Sequence, residues 1–366
     1  MDAIVIGGGI VGASAAYHLA RDGAETLLVD RGDPGQATDA GAGILSPATS
    51  SRTDERWVEF AIEAVDYYPE LLAELDGETG YNESGMLSVA VSADEIDPFD
   101  ETLAEIENRQ EQLETPVFGS IESLAPEEAR ERFPPLAETH RALTYANGAR
   151  VDGRKLARAL RKSGQQHGLE VEAANVERID PGRPVRVETA AGERFEADSV
   201  VIAGGAWSNE FAEGLSIEIP VKPQRGQIVH LDVDRETGDW PVVSGFRGHY
   251  IVPWPGGRIA VGATRETGSG FDHRTTAGGV HEVLEEALRV APGLSDANLA
   301  EIRVGLRPSS PDGLPILGHV GDGVALATGH GATGLQLGPY SGKVVSQLVR
   351  GKDPEYDLTP FSPDRF

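Results

Sequence analysis

The sequence predicts an α/β fold that carries a second, mostly antiparallel β-sheet part of α+β character. Three observations point there. The opening "DAIVIGGGIVGASAAYHLARDGAETLLVD" passes from strand through glycine-rich turn and helix to a second strand, within about 30 residues, the size of one βαβ unit. Residues 220–270 switch to period-two runs separated by turns, "GQIVHLDV", "HYIVPW" and "GRIAVGATRE", a pattern that suits antiparallel strands. The final third returns to a strand at Val324 to Ala327, a "TGHGATG" turn and a helix from Leu335 to Val349. At 366 residues the chain also exceeds the size at which a single core stops growing, so two domains with a cleft between them are expected. The first is expected to be discontinuous, residues 1–85, 141–217 and 300–366, and the second to comprise 86–140 and 218–299.

Each element has a local reason. Apolar residues Ala3 to Ile6 form a buried strand, and Ile10, Ala13, Ala16, Tyr17 and Ala20 recur at helical spacing before the strand Thr26 to Asp30. After the small-residue loop "DAGAGILSPATSS", the segment "DERWVEFAIEAVDYYPELLAEL" reads as an amphipathic helix. Residues 94–131 are strongly acidic and are expected to form a solvated face. Strand character resumes at Ala142 to Tyr145, and Asp152 then caps a helix with Leu156, Ala159 and Leu160 on one side. A strand at Leu169 to Val171, a hairpin-like run to Phe195 and the buried-type strand of "DSVVIAGGAW" follow.

Composition excludes several functions. Acidic residues outnumber basic ones 59 to 32, giving a formal net charge of −27, and such a field repels nucleic acid and anionic membranes. Dense carboxylates with only five lysines suit a surface that stays hydrated in concentrated salt, so a halophilic habitat is expected. The chain has no cysteine, which excludes disulfides, thiolate metal sites, thiol nucleophiles and a cofactor tethered through sulfur. Any redox chemistry must therefore come from a bound cofactor. The longest apolar runs are too short to span a bilayer, and a strand at the very start leaves no room for a cleavable signal; a cytoplasmic location is expected. Histidines occur at no metal-binding spacing, so no metal is expected, and His18, mid-helix, reads as packing.

Gly7, Gly9 and Gly12 form G-x-G-x-x-G between a strand and a helix, with Asp30 ending the next strand. Gly7 makes the turn, Gly9 lets backbone approach a pyrophosphate, Gly12 allows close helix–strand packing, and the helix N-terminus offers N–H groups to phosphate. Asp30 can accept hydrogen bonds from an adenosine ribose. The arrangement is that of a Rossmann-type dinucleotide site, and the acid alone does not choose between NAD and FAD.

Later segments make that choice through a resemblance. "IVIGGGIVGASAAYHLA", "GAGILSP", "VDGRKLARAL", "VVIAGGAWS", "PVKPQRGQIVHL", "HYIVPWPGGRIAVGATRE", "GLRPSSPDGLPILG" and "ATGHGATGLQLGPYSGKVVSQLV" occur in an order that resembles the FAD-dependent oxidoreductases of the D-amino-acid oxidase superfamily. The likeness is to the branch holding glycine oxidase, sarcosine oxidase and the D-amino-acid dehydrogenases; residues 91–140 match least. It implies a noncovalent FAD with Ile10 and Val11 under the pyrophosphate and Asp30 and Arg31 beside the ribose. Ala37, Thr38, Ala42, Gly43 and Ile44 would lie along the ribityl chain and flavin ring, Val176 against adenine, and Ala203 with Gly204 in a turn near the cofactor. His330, Gly331, Ala332, Thr333, Gly334, Leu335 and Gln336 would open a long helix whose N-terminal dipole stabilises negative charge at the flavin N1 and C2=O.

Arg307 corresponds to the family arginine that pairs with a substrate carboxylate, with Tyr250 as its helper. Read without the resemblance, Arg307 is a salt-bridge partner for an acid such as Asp312, Val176 a core valine and Tyr250 a core aromatic. The implied reaction is oxidative deamination of a small amino acid, a D-amino acid favoured, by hydride transfer from Cα–H to flavin N5. An imino acid forms and hydrolyses to a 2-oxo acid. No side chain is assigned as a base, because a neutral amine needs none. The partner is a small-molecule carboxylate; oxygen, a quinone or a dye as acceptor, and the oligomeric state, stay open. The sequence departs from the family in three respects. Ala332 stands where glycine oxidase has a second arginine, the strand Arg258 to Ala263 lacks the oxygen-activating lysine of sarcosine oxidase, and the chain has no cysteine for that enzyme's covalent flavin, so the flavin is expected to be noncovalent. Oxidation of an N-methyl amino acid or a 2-hydroxy acid, and a non-catalytic FAD-binding electron-transfer or partner subunit, are the alternatives.

Overall fold

In the computed structural model, which describes residues 1–48, 50, 52–112 and 121–366, the chain folds around two large β-sheets. The first contains Glu170–Glu172, Thr26–Val29, Ala3–Ile6, Ser199–Ile202, Val324–Thr328 and Ile316–Gly321, in that spatial order. All neighbours run parallel except the last, which closes the edge as an antiparallel hairpin with Val324–Thr328. Four of these strands are buried along their whole length and therefore read as unbroken apolar runs rather than alternating ones.

One face of this sheet is covered by helices Ile10–Arg21, Gly153–Gln166 and Gly334–Val349. The first and last of these touch backbone to backbone: a Cβ on Gly342 would stand 2.6 Å from the Ala15 nitrogen. Asp152 caps the middle helix as expected, accepting from the Lys155 N–H at 3.0 Å. The other face is covered by an antiparallel meander, Val176–Asp180, Val185–Thr189 and Arg194–Ala197, through Val176, Ile179, Val185 and Val187. The amphipathic segment after the first loop forms two helices, Glu55–Asp66 and Tyr68–Glu74, the former capped by Asp54.

The second sheet has nine strands. Strand Lys222–Asp232 pairs along one edge with Asn298–Ser309 and along the other with Arg258–Gly262 and Glu266–Thr267. Tyr250–Pro253, Val242–Ser244, Met86–Ala90, Arg141–Tyr145 and Ile121–Ser123 complete it. Only the pair Val242–Ser244 and Met86–Ala90 is parallel. Helix Ala277–Val290, for which the sequence reading provided no element, covers its outer face through Val283, Ala287 and Val290.

Two segments differ from the expected division. Residues 141–145 and 298–309, placed with the first domain or across its boundary, hydrogen-bond into the second sheet. Their partners are distant in sequence, and period-two patterning does not say which sheet a strand joins. The acidic stretch 94–131 is also more than a solvated face: Glu95 is buried and paired with Arg289 at 2.8 Å, and Phe99 and Ile106 are core residues of helix Ile96–Gln112. Its residues 113–120, like 49 and 51 of the small-residue loop, lie outside the described residues. Among the described residues no helix is long and apolar enough to cross a membrane.

His18 is structural. Fully enclosed in helix Ile10–Arg21, it holds the Ser14 carbonyl at Nδ1 (2.7 Å) and accepts from the Tyr67 hydroxyl at Nε2 (2.6 Å), which sets the Nδ1–H tautomer. Burial pushes its pKa down from 6.5 to about 3. The unfolded chain therefore takes up this proton first, so the contribution of His18 is complete above pH 6.5 and is lost as pH falls towards 3. His18→Gln should lower stability at neutral pH yet lose less on acidification than the parent. Urea midpoints of both proteins between about pH 7 and pH 4 measure this.

Candidate functional site

A single long cavity runs from the glycine loop to the second sheet. At the loop, the three glycines meet different surroundings. A Cβ on Gly7 would lie 2.4 Å from the Ala203 oxygen, and one on Gly12 would lie 1.9 Å from the Gly7 oxygen, so both positions are closed by the protein's own backbone. Gly7 also adopts φ 105°, a region that favours glycine. Gly9 is different: its nearest protein neighbour would be the Thr38 hydroxyl at 3.2 Å, and the space beside it belongs to the cavity. The Thr38 hydroxyl accepts from the Ile10 N–H at 2.9 Å, which fixes the helix N-terminus against the cavity wall.

Asp30 accepts from the Gly8 N–H, from the Gly32 N–H at 2.7 Å and from the Gln36 amide at 3.1 Å. The carboxylate is thereby held at the cavity wall, where an acceptor for ribose is required. Arg31 is held by Asp33, by both carboxylate oxygens of Glu210 (2.8 and 3.1 Å) and by Asn175, and it lies over the Trp207 ring. Gly43, at φ 74°, lets the chain pass so close to Val151 that a Cβ would overlap the Val151 oxygen at 1.7 Å. Gln336 accepts from the Ser46 N–H at 3.0 Å through its Oε1, and its buried Nε2 has no partner among the described residues. A buried amide donor on this wall, a bare glycine loop and a fixed acid at the end of the second strand fit a flavin dinucleotide. Bound there, a flavin would offer ring acceptors of the kind that Gln336 Nε2 lacks.

At the far end, Arg307, Tyr250 and Arg265 line the same cavity. Arg307 Nη1 donates to the Thr264 carbonyl at 2.8 Å. Among the described residues no carboxylate lies within ion-pair distance of Arg307, so the salt-bridge reading fails. Asp312 is held instead by Arg365, at 2.8 Å. Burial lowers the pKa of Arg307, with Tyr250 and Glu266 acting the other way and Arg265 adding to the fall. Burial raises the pKa of Tyr250 against the opposing pull of Arg307 and Arg265, so its hydroxyl stays protonated. Arg265, more exposed, donates to the Gly248 carbonyl at 2.8 Å and likewise pairs with no carboxylate among the described residues. His330 is enclosed, bonds Ser341 at 2.9 Å and is pushed down to about 3 by burial, which keeps it neutral. Among the described residues no cluster of His, Cys, Asp or Glu could hold a metal ion.

The family described as FAD dependent oxidoreductase, DAO, matches residues 2–348. The chain belongs to this family. Among its relatives, the uncharacterized oxidoreductase YurR of Bacillus subtilis is 42% identical and the glycine oxidase of Pseudomonas aeruginosa 34% identical, each over 98% of both chains. The crystal structure of iminodiacetate oxidase (IdaA) from Chelativorans sp. BNC1 superposes with a TM-score of 0.93 at 36% identity, covering 99% of this chain and 98% of that one. The protein is thus an FAD-dependent oxidoreductase with the D-amino-acid oxidase fold, as the sequence motifs implied.

This DAO-family chain brings nearly all the expected residues to one cavity wall. Gly7, Gly9, Ile10, Val11, Asp30, Arg31, Ala37, Thr38, Ala42, Gly43, Ile44, Val176, Ala203, Gly204, Tyr250, Arg307, His330, Gly331, Ala332, Gly334, Leu335 and Gln336 all line it. Gly12 packs behind the loop, and Thr333 turns its hydroxyl back to the His330 carbonyl, so neither faces the cavity. Val176 is both lining and core, which joins its two readings. Sequence reasoning missed Arg265, Gln36, Trp207 and Gly226. Trp207 lies two residues beyond the glycine pair Gly204 and Gly205, and Arg265 is the one cation of "GATRE", so both carried a faint signal.

At Gly9 a methyl group would meet no backbone and only the Thr38 hydroxyl, at 3.2 Å, which has to give by a few tenths of an ångström, so it should leave the fold largely intact and exclude the pyrophosphate. Gly9→Ala should purify folded, with an unchanged circular dichroism spectrum, while FAD binds more weakly by roughly tenfold or more in fluorescence titration. Gly12→Ala should instead lose stability, since its methyl group meets backbone.

Proposed function

We propose that the protein oxidises a small amino acid at its CH–NH bond, a D-amino acid in the first instance, and releases an imino acid that hydrolyses to a 2-oxo acid. The observation that carries this reading is the pair of guanidiniums without carboxylate partners, Arg307 and Arg265, flanking the protonated hydroxyl of Tyr250 in the FAD cavity. Two forked cations and a neutral donor suit a substrate carboxylate. Bound FAD supplies the hydride acceptor. The chain's own part is orientation: Arg307, anchored by Thr264, fixes the carboxylate, Tyr250 donates to it, and the cavity wall keeps the α-carbon in place. No carboxylate or histidine in the ordinary titration range stands beside the clamp among the lining residues, which fits a substrate amine that enters neutral.

A second reading is oxidation of an N-substituted amino acid. It is favoured by the likeness to iminodiacetate oxidase, named for a secondary amine, and by Ala332 on the cavity wall where the resemblance to glycine oxidase implied arginine. Anaerobic titration of the holoenzyme with D- and L-amino acids, glycine, N-methylglycine, iminodiacetate and 2-hydroxy acids separates these readings by which class bleaches the flavin. Bleaching by none would favour the non-catalytic alternative, and reoxidation by oxygen against quinone or dye then identifies the acceptor class.

The clamp reading fixes a ranking of variants. Arg307→Ala should keep the flavin spectrum and weaken productive substrate binding by about 2 to 5 kcal/mol, as for removal of one partner of a desolvated charge pair. Tyr250→Phe should cost about 1 kcal/mol, the net worth of one hydrogen bond. Values of kcat/KM for the bleaching substrate measure both, and equal activity in Arg307→Ala would remove the assignment.

A further inference from the structure

The clamp rests on a part of the second sheet where three glycines, Gly305, Gly226 and Gly262, stand close together. On strand Asn298–Ser309, Gly305 faces Gly226 of strand Lys222–Asp232, and Arg307 follows two residues later. Ile228, two residues beyond Gly226, faces Gly262, and Gly262 faces Tyr250. Residues directly opposite across antiparallel strands, and those two apart along one strand, share a face. Arg307, Gly305, Gly226, Gly262 and Tyr250 therefore all stand on the cavity side. A Cβ on Gly226 would lie 2.5, 2.6 and 2.7 Å from Nη2, Cζ and Nη1 of Arg307, so the guanidinium lies flat over that glycine. A Cβ on Gly262 would lie 3.0 Å from the Tyr250 hydroxyl oxygen and 3.2 Å from its Cε2. Neither glycine has a positive φ, so a left-handed backbone is not what either position requires. What each position supplies is the absence of volume.

We propose that Gly226 and Gly262 are positioning residues, which set how deeply the Arg307 guanidinium and the Tyr250 ring sit on the sheet and hence where a carboxylate is held. The proposal rests on the clamp reading of the preceding section. Strand Lys222–Asp232 is hydrogen-bonded on both edges, whereas the guanidinium is the free end of a long side chain. A methyl group at position 226 therefore moves the guanidinium and leaves the sheet in place. Ordinary contact begins at 3.4 Å, so Nη2 must rise by 3.4 − 2.5 = 0.9 Å, which pulls against the 2.8 Å bond from Nη1 to the Thr264 carbonyl. Displacements of about 1 Å in a positioning group are enough to cost up to roughly hundredfold. Gly262 is the less selective position, because a methyl group there would also meet Ile228 Cγ1 at 3.0 Å.

The test uses holoenzyme of the parent, Gly226→Ala and Arg307→Ala, with acetate as a minimal carboxylate followed by flavin absorbance, and a crystal structure of Gly226→Ala. Gly226→Ala should keep its FAD content and melting temperature, bind acetate about tenfold or more weakly, raise KM more than it lowers kcat, and show the guanidinium lifted from the sheet. Weakened acetate binding in Arg307→Ala together with parental affinity in Gly226→Ala overturns the positioning role. A guanidinium found unmoved above the new methyl group overturns it as well. Parental acetate affinity in Arg307→Ala instead removes the clamp reading itself, a failure that the first comparison keeps separate.

Discussion

Arg307 is a guanidinium held against a sheet inside a cavity, in a chain with 59 acidic residues, and it nevertheless has no carboxylate of its own among the described residues. Keeping it unpaired requires the nearby acids to be engaged elsewhere. Glu266 accepts from Arg225 at 2.6 Å, from the Gln227 amide at 2.7 Å and from the Thr264 hydroxyl at 2.8 Å, while Asp272 takes a second edge of Arg225 at 2.9 Å. Asp312 is spent on Arg365. Thr264 links the two systems: its hydroxyl goes to Glu266 and its carbonyl to Arg307. Glu266 thus stabilises the charge of Arg307 from behind without competing for the face that a ligand would use. Desolvation of an unpaired cation is unfavourable, and the cost is recovered only when an anion arrives.

That cation would be useless without a cofactor beside it, and one strand supplies the connection. Asn298–Ser309 belongs to the second sheet, yet Leu306 donates its N–H to the Gly35 carbonyl at 2.8 Å, and Leu306 bridges Gln36. Gly305, one residue earlier, lets helix Ala37–Ala40 approach until a Cβ would stand 2.9 Å from that of Ala40. Ser309 bridges His330 at the start of the C-terminal helix segment. The same dozen residues therefore hold Arg307, the proposed carboxylate clamp, against both loops expected to carry the flavin.

This geometry explains which features the sequence made legible. The glycine loop, Asp30 and the turn before the last helix are local: each depends on a few consecutive residues with a required backbone path or dipole. Arg307 stood out because a lone cation among Gly, Leu and Pro is conspicuous in an acidic chain. Arg265 stands next to Glu266, which offers it a bland ion-pair reading, and it is brought to the cavity only when strands 222–232 and 258–262 pair. Gly226 stands within "PVKPQRGQIVHL", but no local pattern accounts for it, since the group packed on it is a guanidinium 81 positions away, 307 − 226. The placement of residues 141–145 and 298–309 in the second sheet was hidden for the same cause, because alternation specifies a face and not a partner.

The proposed clamp would also have to work against the field of the whole molecule. A net charge of −27 repels a carboxylate at long range, whereas two guanidiniums would attract it at contact. These effects differ in their screening. Between exposed charges the interaction decays over about 8 Å at physiological ionic strength and about 3 Å at 1 M. A contact inside the cavity is bathed by few ions and keeps most of its strength. Added salt would therefore remove the repulsion before it weakens the proposed clamp, so the acidic surface and the cavity arginines are compatible over a wide range of salt, and capture of an anion would become easier as the outer charges are screened.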